Sequence, residues 1–348
     1  MNTAQNSQST KKLTITFFDV LEDKSASFFK KQFADYNVLT SKDNVNTNTE
    51  NYANSDIISV FVTSTLDAET LAKFPKLKYI ATRSTGFNHI DLEYCKKHNI
   101  GVSNVPSYGQ NTVAEHAMAM LLALMKKLPQ SIDRVKSGSF NRKGLTGSDL
   151  MGKTIGVVGT GRIGAYTIRM AKGFGMEVLG FDVYPNEQLA RDLGFKYCDL
   201  DCLYKKSDVI SLHVPYNEKT HHMINRESLA KMKKGVVIIN TARGGLIETD
   251  ALFDAIQSGQ VGAVGLDVLE QEPLLNEEIE LLYRDNYGED TDFKIALENH
   301  VLSHLPNVII TPHNAFNTTE AIQRILDTSR DNIVAFLSGN LQNSVIKE

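Results

Sequence analysis

The feature that most constrains the fold is a glycine-rich turn between a strand pattern and a helix pattern. The sequence GTGRIG at 159–164 follows the apolar run TIGVV and precedes a helix predicted over 163–174. Gly159 permits a tight turn, Gly161 lets the backbone approach a pyrophosphate, and Gly164 lets the helix pack on the strand. The helix N-terminus adds N–H donors and the positive end of a dipole. The turn therefore predicts a dinucleotide-binding βαβ unit.

An acidic residue then ends the next predicted strand, at Asp182, about 20 residues further on, as this kind of unit requires. Its carboxylate can accept hydrogen bonds from both ribose hydroxyls and would repel a 2′-phosphate. The residues that follow, VYP at 183–185, offer no positive charge to hold such a phosphate. The predicted cofactor is NAD rather than NADP.

Strand and helix patterns alternate along the whole chain of 348 residues. They predict an α/β fold with two Rossmann-like or flavodoxin-like doubly wound parallel sheets and a cleft between them. A final helix over 318–337 is long enough to return to the first domain, which would then be discontinuous. The predicted organisation is a disordered tail at 1–12, a substrate-binding domain at 13–108 plus 316–348, and an NAD-binding domain at 109–315.

Composition excludes several classes of partner. The net charge of −4, with scattered Lys and Arg, gives no footprint for nucleic acid or for an anionic membrane surface. The longest apolar stretch, 117–125, has nine residues, whereas a membrane span needs about 20. Three cysteines, Cys95, Cys198 and Cys202, are too few for a disulfide framework, and residues 1–12 are polar. We expect a cytoplasmic protein with reduced thiols.

Two segments are predicted to lie at the protein surface, one at a subunit interface and one in solvent. The predicted helix over 112–128 is apolar on nearly every side, which favours a homodimer through it, although burial within one chain is the alternative. Segment 276–298 holds eight acidic and two basic residues and is predicted to be a solvated excursion.

Candidate catalytic residues follow predicted strands. Arg243 comes after VVIINTA, and its planar fork suits a carboxylate, with a salt bridge at the domain boundary as the alternative. His313 comes after VIITP and can act as a general acid and base. A carboxylate beside it, from Glu272, would raise the histidine pKa and keep a proton ready. Each residue alone could instead serve a capping or surface role.

Taken together, these motifs resemble the D-isomer-specific 2-hydroxyacid dehydrogenase family. The resemblance is carried by GTGRIG, Asp182, NTARGG at 240–245, the stretch 267–273 and TPH at 311–313, and the segment 213–225 resembles the D-lactate dehydrogenase branch. It implies that Arg243 binds and polarises the substrate, that His313 is the acid and base, and that Glu272 is its partner. It also implies cofactor contacts at Arg162, Ile163, Val214, Pro215, Thr220, Thr241, Ala242 and Asp267, besides Asp182 and the three glycines.

In the first domain the same resemblance assigns substrate contacts to Thr85, Gly86 and Tyr108. Relatives often carry Val or Cys where this chain has Thr85, so its hydroxyl leaves substrate size open. No metal is expected, since His221, His222, His300 and His304 lack nearby carboxylates or thiolates that would complete a site.

The function that follows is NADH-dependent, reversible reduction of a small 2-oxo acid to the D-2-hydroxy acid, with pyruvate to D-lactate as the leading case. Hydroxypyruvate, glyoxylate or branched-chain 2-oxo acids are alternative substrates. A corepressor-like NAD-sensing protein is the alternative from another class, and retention of the three catalytic candidates argues against it.

Overall fold

The computed structural model describes residues 12–47, 49–270 and 290–346. The chain divides into two compact units, one formed by Met1–Tyr108 with Thr318–Glu348 and the other by Gly109–Asn317. We call them unit 1 and unit 2. Each contains one parallel sheet with helices on both faces, which confirms the predicted α/β fold class.

Unit 1 has a five-stranded parallel sheet in the order β2-β1-β3-β4-β5. The strands are β1 (Thr14–Phe17), β2 (Asn37–Thr40), β3 (Ile57–Val60), β4 (Tyr79–Thr82) and β5 (Gly101–Ser103). The helices are α1 (Asp23–Gln32), α2 (Thr49–Tyr52), α3 (Ala68–Ala72), α4 (Leu92–Lys97) and, from the end of the chain, the helix Thr319–Leu337.

Alternation along these strands builds two cores, one on each face of the sheet. Ile58 and Ile80 point to the face covered by α3 and α4, whereas Ile57 and Tyr79 point to the face covered by α1 and helix Thr319–Leu337. Such two-sided burial explains why the strands contain few charges.

Unit 2 has a seven-stranded parallel sheet in the order β12-β11-β10-β9-β6-β7-β8. Its strands are β6 (Thr154–Val158), β7 (Glu177–Phe181), β8 (Lys196–Tyr197), β9 (Val209–Leu212), β10 (Val236–Asn240), β11 (Val261–Leu266) and β12 (Val308–Ile310). Its helices are α5 (Gln110–Met125), α6 (Leu128–Lys136), α7 (Arg162–Gly173), α8 (Glu187–Leu193), α9 (Leu200–Lys206), α10 (Arg226–Lys231), α11 (Thr249–Gln257) and α12 (Asp290–Ser303). Helix Thr319–Leu337 of unit 1 is α13.

The apolar helix expected at a dimer interface is largely covered inside unit 2. Helix α5 packs against α7 and the strands β10 and β11, and it buries seven residues there. The following helix, α6, buries none. Its apolar side chains Leu128, Ile132 and Val135 lie on one helical face and are 45%, 51% and 48% exposed. The exposed apolar surface is therefore on α6 rather than on α5.

The predicted solvated excursion is partly covered at its C-terminal end. Helix α12 packs against α11 and β12 and buries Glu298, whereas Lys294 and Leu297 are exposed. Residues 276–289 of the excursion, and the predicted tail at 1–11, lie outside the described residues. No helix in residues 12–47, 49–270 and 290–346 combines the length and apolar character needed to cross a membrane.

Candidate active site

The candidate cofactor site of unit 2 lies at the carboxyl ends of β6 and β9, where the order of the strands in the sheet reverses. We call this end of the sheet the cofactor edge. Strand β6 lies between β7 and β9, so the turn after β6 meets the segment after β9 at this switch point. The approach is close, because a β-carbon on Gly159 would lie 2.7 Å from the carbonyl oxygen of His213. Gly159 also has a φ of +91°, which only glycine adopts readily.

The other two glycines of the turn differ sharply in their surroundings. A β-carbon on Gly164 would lie 2.0 Å from the carbonyl oxygen of Gly159, so the residue is required for packing the helix on the turn. A β-carbon on Gly161 would meet no protein atom within 4 Å. Gly161 is the N-cap of α7 and no side chain caps its N–H groups. Open space beside free helix donors fits a cofactor pyrophosphate.

Asp182, directly after β7, is held by the same turn. Its Oδ2 accepts from the backbone N–H of Thr160 at 2.8 Å and from the Thr160 hydroxyl at 3.2 Å. Its Oδ1 accepts from the N–H of Tyr184 at 3.0 Å. The carboxylate is thus fixed beside the glycine turn, where a ribose diol would be bound. Arg162 and Ile163 form the first turn of α7.

The Thr220 side chain stabilises the turn after β9. The Thr220 hydroxyl donates to the carbonyl oxygen of Pro215 at 2.8 Å and accepts from the N–H of Asn217 at 2.8 Å. This hydroxyl is therefore used within the turn that carries Val214 and Pro215. His213, which the sequence did not single out, has its pKa lowered to about 4 by burial, and its Nε2 lies 2.9 Å from Ser211 Oγ.

A buried hydroxyl is left without a partner at the end of β10. Thr241 is 8% exposed, and its Oγ1 has no hydrogen-bond partner among the described residues. An unsatisfied buried hydroxyl is costly, and a bound group can complete it. The open space at Gly161 and the unpartnered Thr241 hydroxyl are compatible with a dinucleotide at this end of the sheet of unit 2.

Arg243 stands two residues further along the same turn. Asn240 shapes that turn, because its side chain donates to the carbonyl oxygen of Arg243 at 2.8 Å and accepts from the N–H of Ala242 at 3.0 Å. The Arg243 side chain is exposed, and its Nη1 donates to the Ala242 carbonyl oxygen at 2.6 Å. Within the described ranges no carboxylate pairs with it, so the guanidinium can bind a carboxylate ligand.

His313 lies after β12, in a backbone turn organised by a buried carboxylate. Asp267 is 1% exposed and accepts from the Thr311 hydroxyl at 2.5 Å and from the N–H groups of Asn314 and Ala315 at 2.8 and 2.9 Å. The N–H of His313 donates to the Asp267 carbonyl oxygen at 2.9 Å, and His313 has a φ of +50°. A strained φ of this kind persists only when its surroundings fix it.

Asp267 therefore holds the histidine turn through four residues, Thr311, His313, Asn314 and Ala315. His116, predicted from sequence to be structural, extends the network from α5, with Nε2 at 3.0 Å from Thr311 Oγ1. Because the Thr311 hydrogen goes to Asp267, His116 is the donor in this contact.

Glu272 lies outside the described residues, and its predicted role stays a prediction. Its described neighbour Glu270 is a residue that sequence reasoning missed. Glu270 Oε1 lies 2.6 Å from His222 Nε2, and Oε2 accepts from the hydroxyl and N–H of Thr249 at 2.8 and 3.3 Å. These contacts tie the segment after β11 to α11 and to the segment after β9. Their sequence separations of 48 and 21 positions gave no signal.

Two of the three candidate substrate residues of unit 1, Thr85 and Gly86, lie in the loop after β4. The Thr85 hydroxyl donates to the Val105 carbonyl oxygen at 2.9 Å, and Asn104 Nδ2 donates to the Thr85 carbonyl oxygen at 2.8 Å. Across the described part of the chain, the N–H groups of Thr85 and Gly86 donate to no protein acceptor. Two adjacent free N–H groups in a fixed loop can bind an anion such as a carboxylate.

Arg83 and Tyr108 make further hydrogen bonds near the candidate substrate residues of unit 1. Burial lowers the pKa of Arg83 to about 10, and its guanidinium donates to Ser59 Oγ at 3.0 Å and to the carbonyl oxygen of Phe18. Arg83 therefore links the ends of β1, β3 and β4, a structural role that the sequence did not reveal. The carbonyl oxygen of Tyr108 accepts from Arg324 Nε at 2.6 Å.

The comparisons with known proteins agree with this geometry. Residues 118–315 match the family model described as D-isomer specific 2-hydroxyacid dehydrogenase, NAD binding domain. The chain is 37% identical to D-lactate dehydrogenase of Escherichia coli, over 90% of this chain and 91% of that protein. It is 38% identical to an aromatic 2-oxoacid reductase of Clostridium sporogenes, over 83% and 85%.

Among solved structures, D-lactate dehydrogenase from Aquifex aeolicus complexed with NAD and lactic acid matches with a TM-score of 0.84 and 40% identity. The match covers 96% of this chain and 99% of that one. The chain therefore belongs to the NAD-dependent D-isomer-specific 2-hydroxyacid dehydrogenase family, in its D-lactate dehydrogenase branch.

Proposed function

We propose that this enzyme reduces a small 2-oxo acid to the D-2-hydroxy acid with NADH, with pyruvate to D-lactate as the leading case. The observation that carries the proposal is the exposed guanidinium of Arg243, which pairs with no carboxylate in the described ranges and stands two residues after the unsatisfied hydroxyl of Thr241. A positive charge directly after a cofactor contact suits a substrate that carries a carboxylate next to its reacting carbonyl.

The cofactor is assigned to the edge of unit 2. Gly159, Gly161 and Gly164, with the first turn of α7, would hold the pyrophosphate, Asp182 would bind the adenosine ribose, and Thr241 and Asp267 would lie toward the nicotinamide. When bound, NADH supplies the hydride that reduces C2 of the 2-oxo acid.

The chain's own side chains supply the rest of the chemistry. Arg243 binds the substrate carboxylate and polarises the carbonyl, while protonated His313 donates its proton to the carbonyl oxygen. Asp267 holds the His313 turn in place, and Glu272 supports the charged imidazole. In unit 1, the free N–H groups of Thr85 and Gly86 are the proposed carboxylate donors, and Tyr108 is the proposed substrate contact of that unit.

The hydrogen bonding of Thr85 shows how its hydroxyl is used in the loop. Its hydroxyl donates to the Val105 carbonyl oxygen and is therefore already in use. The departure from Val or Cys found in relatives thus adds no free donor for the hydroxyl of hydroxypyruvate. The similarity to an aromatic 2-oxoacid reductase keeps larger apolar acids as the second candidate.

The test is NADH oxidation by the purified enzyme with a panel of acids. The panel contains pyruvate, 2-oxobutyrate, phenylpyruvate, 2-oxoisocaproate, glyoxylate and hydroxypyruvate. We expect the highest kcat/KM with pyruvate. A higher value with phenylpyruvate or 2-oxoisocaproate would replace the substrate and keep the chemistry. No turnover with any acid, together with tight NADH binding, would favour the NAD-sensing alternative and overturn the proposal.

We also propose a homodimer through the predicted helix around 112–128, with the exposed apolar face of α6, which begins at Leu128, as part of the interface. Leu128, Ile132 and Val135 form a contiguous apolar stripe, and Phe140 nearby in sequence is 88% exposed. Sedimentation velocity tests this: the wild type should sediment as a dimer and Ile132→Asp as a monomer. A monomeric wild type would refute it. The cytoplasmic location stays a prediction.

A further inference from the structure

Tyr197, the last residue of the short strand β8, connects two segments of the cofactor edge. Its hydroxyl oxygen lies 2.7 Å from Thr160 Oγ1 and accepts from the N–H of Asn186 at 3.1 Å. Register places Tyr197 opposite Gly180 of β7, two residues before Asp182. The ring packs edge-on against Phe195 with centroids 4.9 Å apart. Tyr197 is thus held from both sides, and its hydroxyl faces the glycine turn.

The number of hydrogens that each group can donate determines the direction of these hydrogen bonds. The Thr160 hydroxyl has one hydrogen, and the carboxylate of Asp182 can only accept. If Thr160 donated to Tyr197, two oxygens without a hydrogen between them would face each other at 3.2 Å. Thr160 therefore donates to Asp182, and Tyr197 donates to Thr160. The result is a one-way chain from the Asn186 N–H through Tyr197 and Thr160 to Asp182 Oδ2.

This chain determines which acceptor positions of Asp182 remain for a ligand. A carboxylate offers about four acceptor positions. Thr160 uses two of them on Oδ2, and the Tyr184 N–H uses one on Oδ1. The remaining position lies on Oδ1. Without the Thr160 hydroxyl, the carboxylate is held by the backbone N–H groups of Thr160 and Tyr184 alone and is fixed less firmly.

We propose that Tyr197 is a positioning residue for cofactor choice: through Thr160 its hydroxyl adds a third hydrogen bond that holds the rotation of Asp182, and so favours NADH over NADPH. The held carboxylate offers its remaining acceptor position to a ribose hydroxyl of NADH and repels the 2′-phosphate of NADPH. A carboxylate that is held less firmly does both less well. The inference rests on the assignment of the adenosine ribose to Asp182 made under the proposed function.

The primary variant is Tyr197→Phe, which removes the hydroxyl and keeps the ring packing. Calorimetric titration with NADH and with NADPH should show NADH binding weakened about threefold, at the low end of the value of a lost hydrogen bond, because Tyr197 acts on the cofactor only through Thr160 and Asp182. NADPH binding should change less, so the ratio of the two affinities falls by a similar factor. In turnover assays, KM for NADH should rise while kcat at saturating NADH stays within about twofold of the wild type.

Tyr204→Phe is the matched control. The Tyr204 hydroxyl is also buried in unit 2, and it has no hydrogen-bond partner within the described chain. Removing it should leave the affinities for both cofactors unchanged. Thr160→Val should reproduce the effect of Tyr197→Phe, whereas Thr160→Ser, which keeps the hydroxyl, should restore most of the affinity for NADH.

The double variant separates a chain of hydrogen bonds from two independent effects. In a Thr160→Val background, Tyr197→Phe should add less than about twofold to the loss of NADH affinity, because the chain is already broken. Additive losses would overturn the proposal, as would an unchanged ratio of NADH to NADPH affinity in Tyr197→Phe. A lower unfolding temperature with an unchanged ratio would show a structural role only. Because the readout is cofactor binding, failure of the 2-oxo acid assignment would appear separately, in the substrate panel.

Discussion

Replacing Gly161 by alanine separates the folding role of the glycine turn from its cofactor role. A β-carbon on Gly161 has no protein atom within 4 Å, and its φ of −63° is one that alanine adopts freely. At a compatible backbone position, glycine to alanine stabilises a protein by about 0.4–1 kcal/mol through the unfolded chain. Alanine is a poorer N-cap than glycine, by roughly the same amount. The free energy of unfolding should therefore change by less than about 1 kcal/mol.

NADH binding should respond very differently, because the added methyl group occupies the space assigned to the pyrophosphate. We expect the dissociation constant to rise at least tenfold, which corresponds to about 1.4 kcal/mol or more. The assay is calorimetric titration with NADH, alongside urea unfolding of the same preparation.

Gly173→Ala, near the other end of α7, is the control for this experiment. Its β-carbon would also meet no protein atom within 4 Å, and it lies away from the turn. It should leave NADH affinity unchanged and raise the unfolding free energy by up to about 1 kcal/mol. Wild-type NADH affinity in a folded Gly161→Ala protein would refute the placement of the cofactor at this turn.

Three further predictions follow from single contacts. Thr241→Val should leave urea stability equal to or slightly above the wild type, because the lost hydroxyl has no partner in the described structure, yet weaken NADH binding several-fold; unchanged binding would remove Thr241 from the cofactor site. Arg243→Ala should lower kcat/KM for pyruvate by more than a hundredfold, about 3 kcal/mol, with little change in stability; near-normal turnover would refute its role. Burial depresses the His213 pKa from 6.5 to about 4, so between pH 7 and 5 the unfolded chain binds a proton that the folded chain does not. The free energy of unfolding of the wild type, measured in urea, should therefore fall by about 2 kcal/mol over this range. The fall should be smaller in His213→Asn. Equal pH dependence in the two proteins would contradict that origin.

The long elements of both sheets could be predicted because they bury both faces and read as apolar runs. Strand β8 could not, since it is two residues long and carries no apolar pattern. The helices on either side of it, α8 and α9, have seven residues each. Their start signals are present in the sequence, because the side chains of Asn186 and Asp199 cap them.

Site residues that directly follow a strand could be predicted from the sequence. Residues whose role depends on a hydrogen bond to a distant part of the chain could not. Asp182 and Arg243 follow apolar strands, so their types and positions indicated a role. That the Thr85 hydroxyl is used by the Val105 carbonyl oxygen, 20 positions away, has no signature in spacing. The same holds for Glu270 with His222 and for Tyr197 with Thr160, 37 positions apart.

D-specific reduction of a 2-oxo acid by this enzyme is tested most directly by the chirality of the product. Pyruvate and NADH are incubated with the purified enzyme, and the product is separated by chiral chromatography, with Arg243→Ala as the inactive control. We predict D-lactate in an amount equal to the NADH consumed. L-lactate, a racemic product, or NADH loss without lactate would contradict the account.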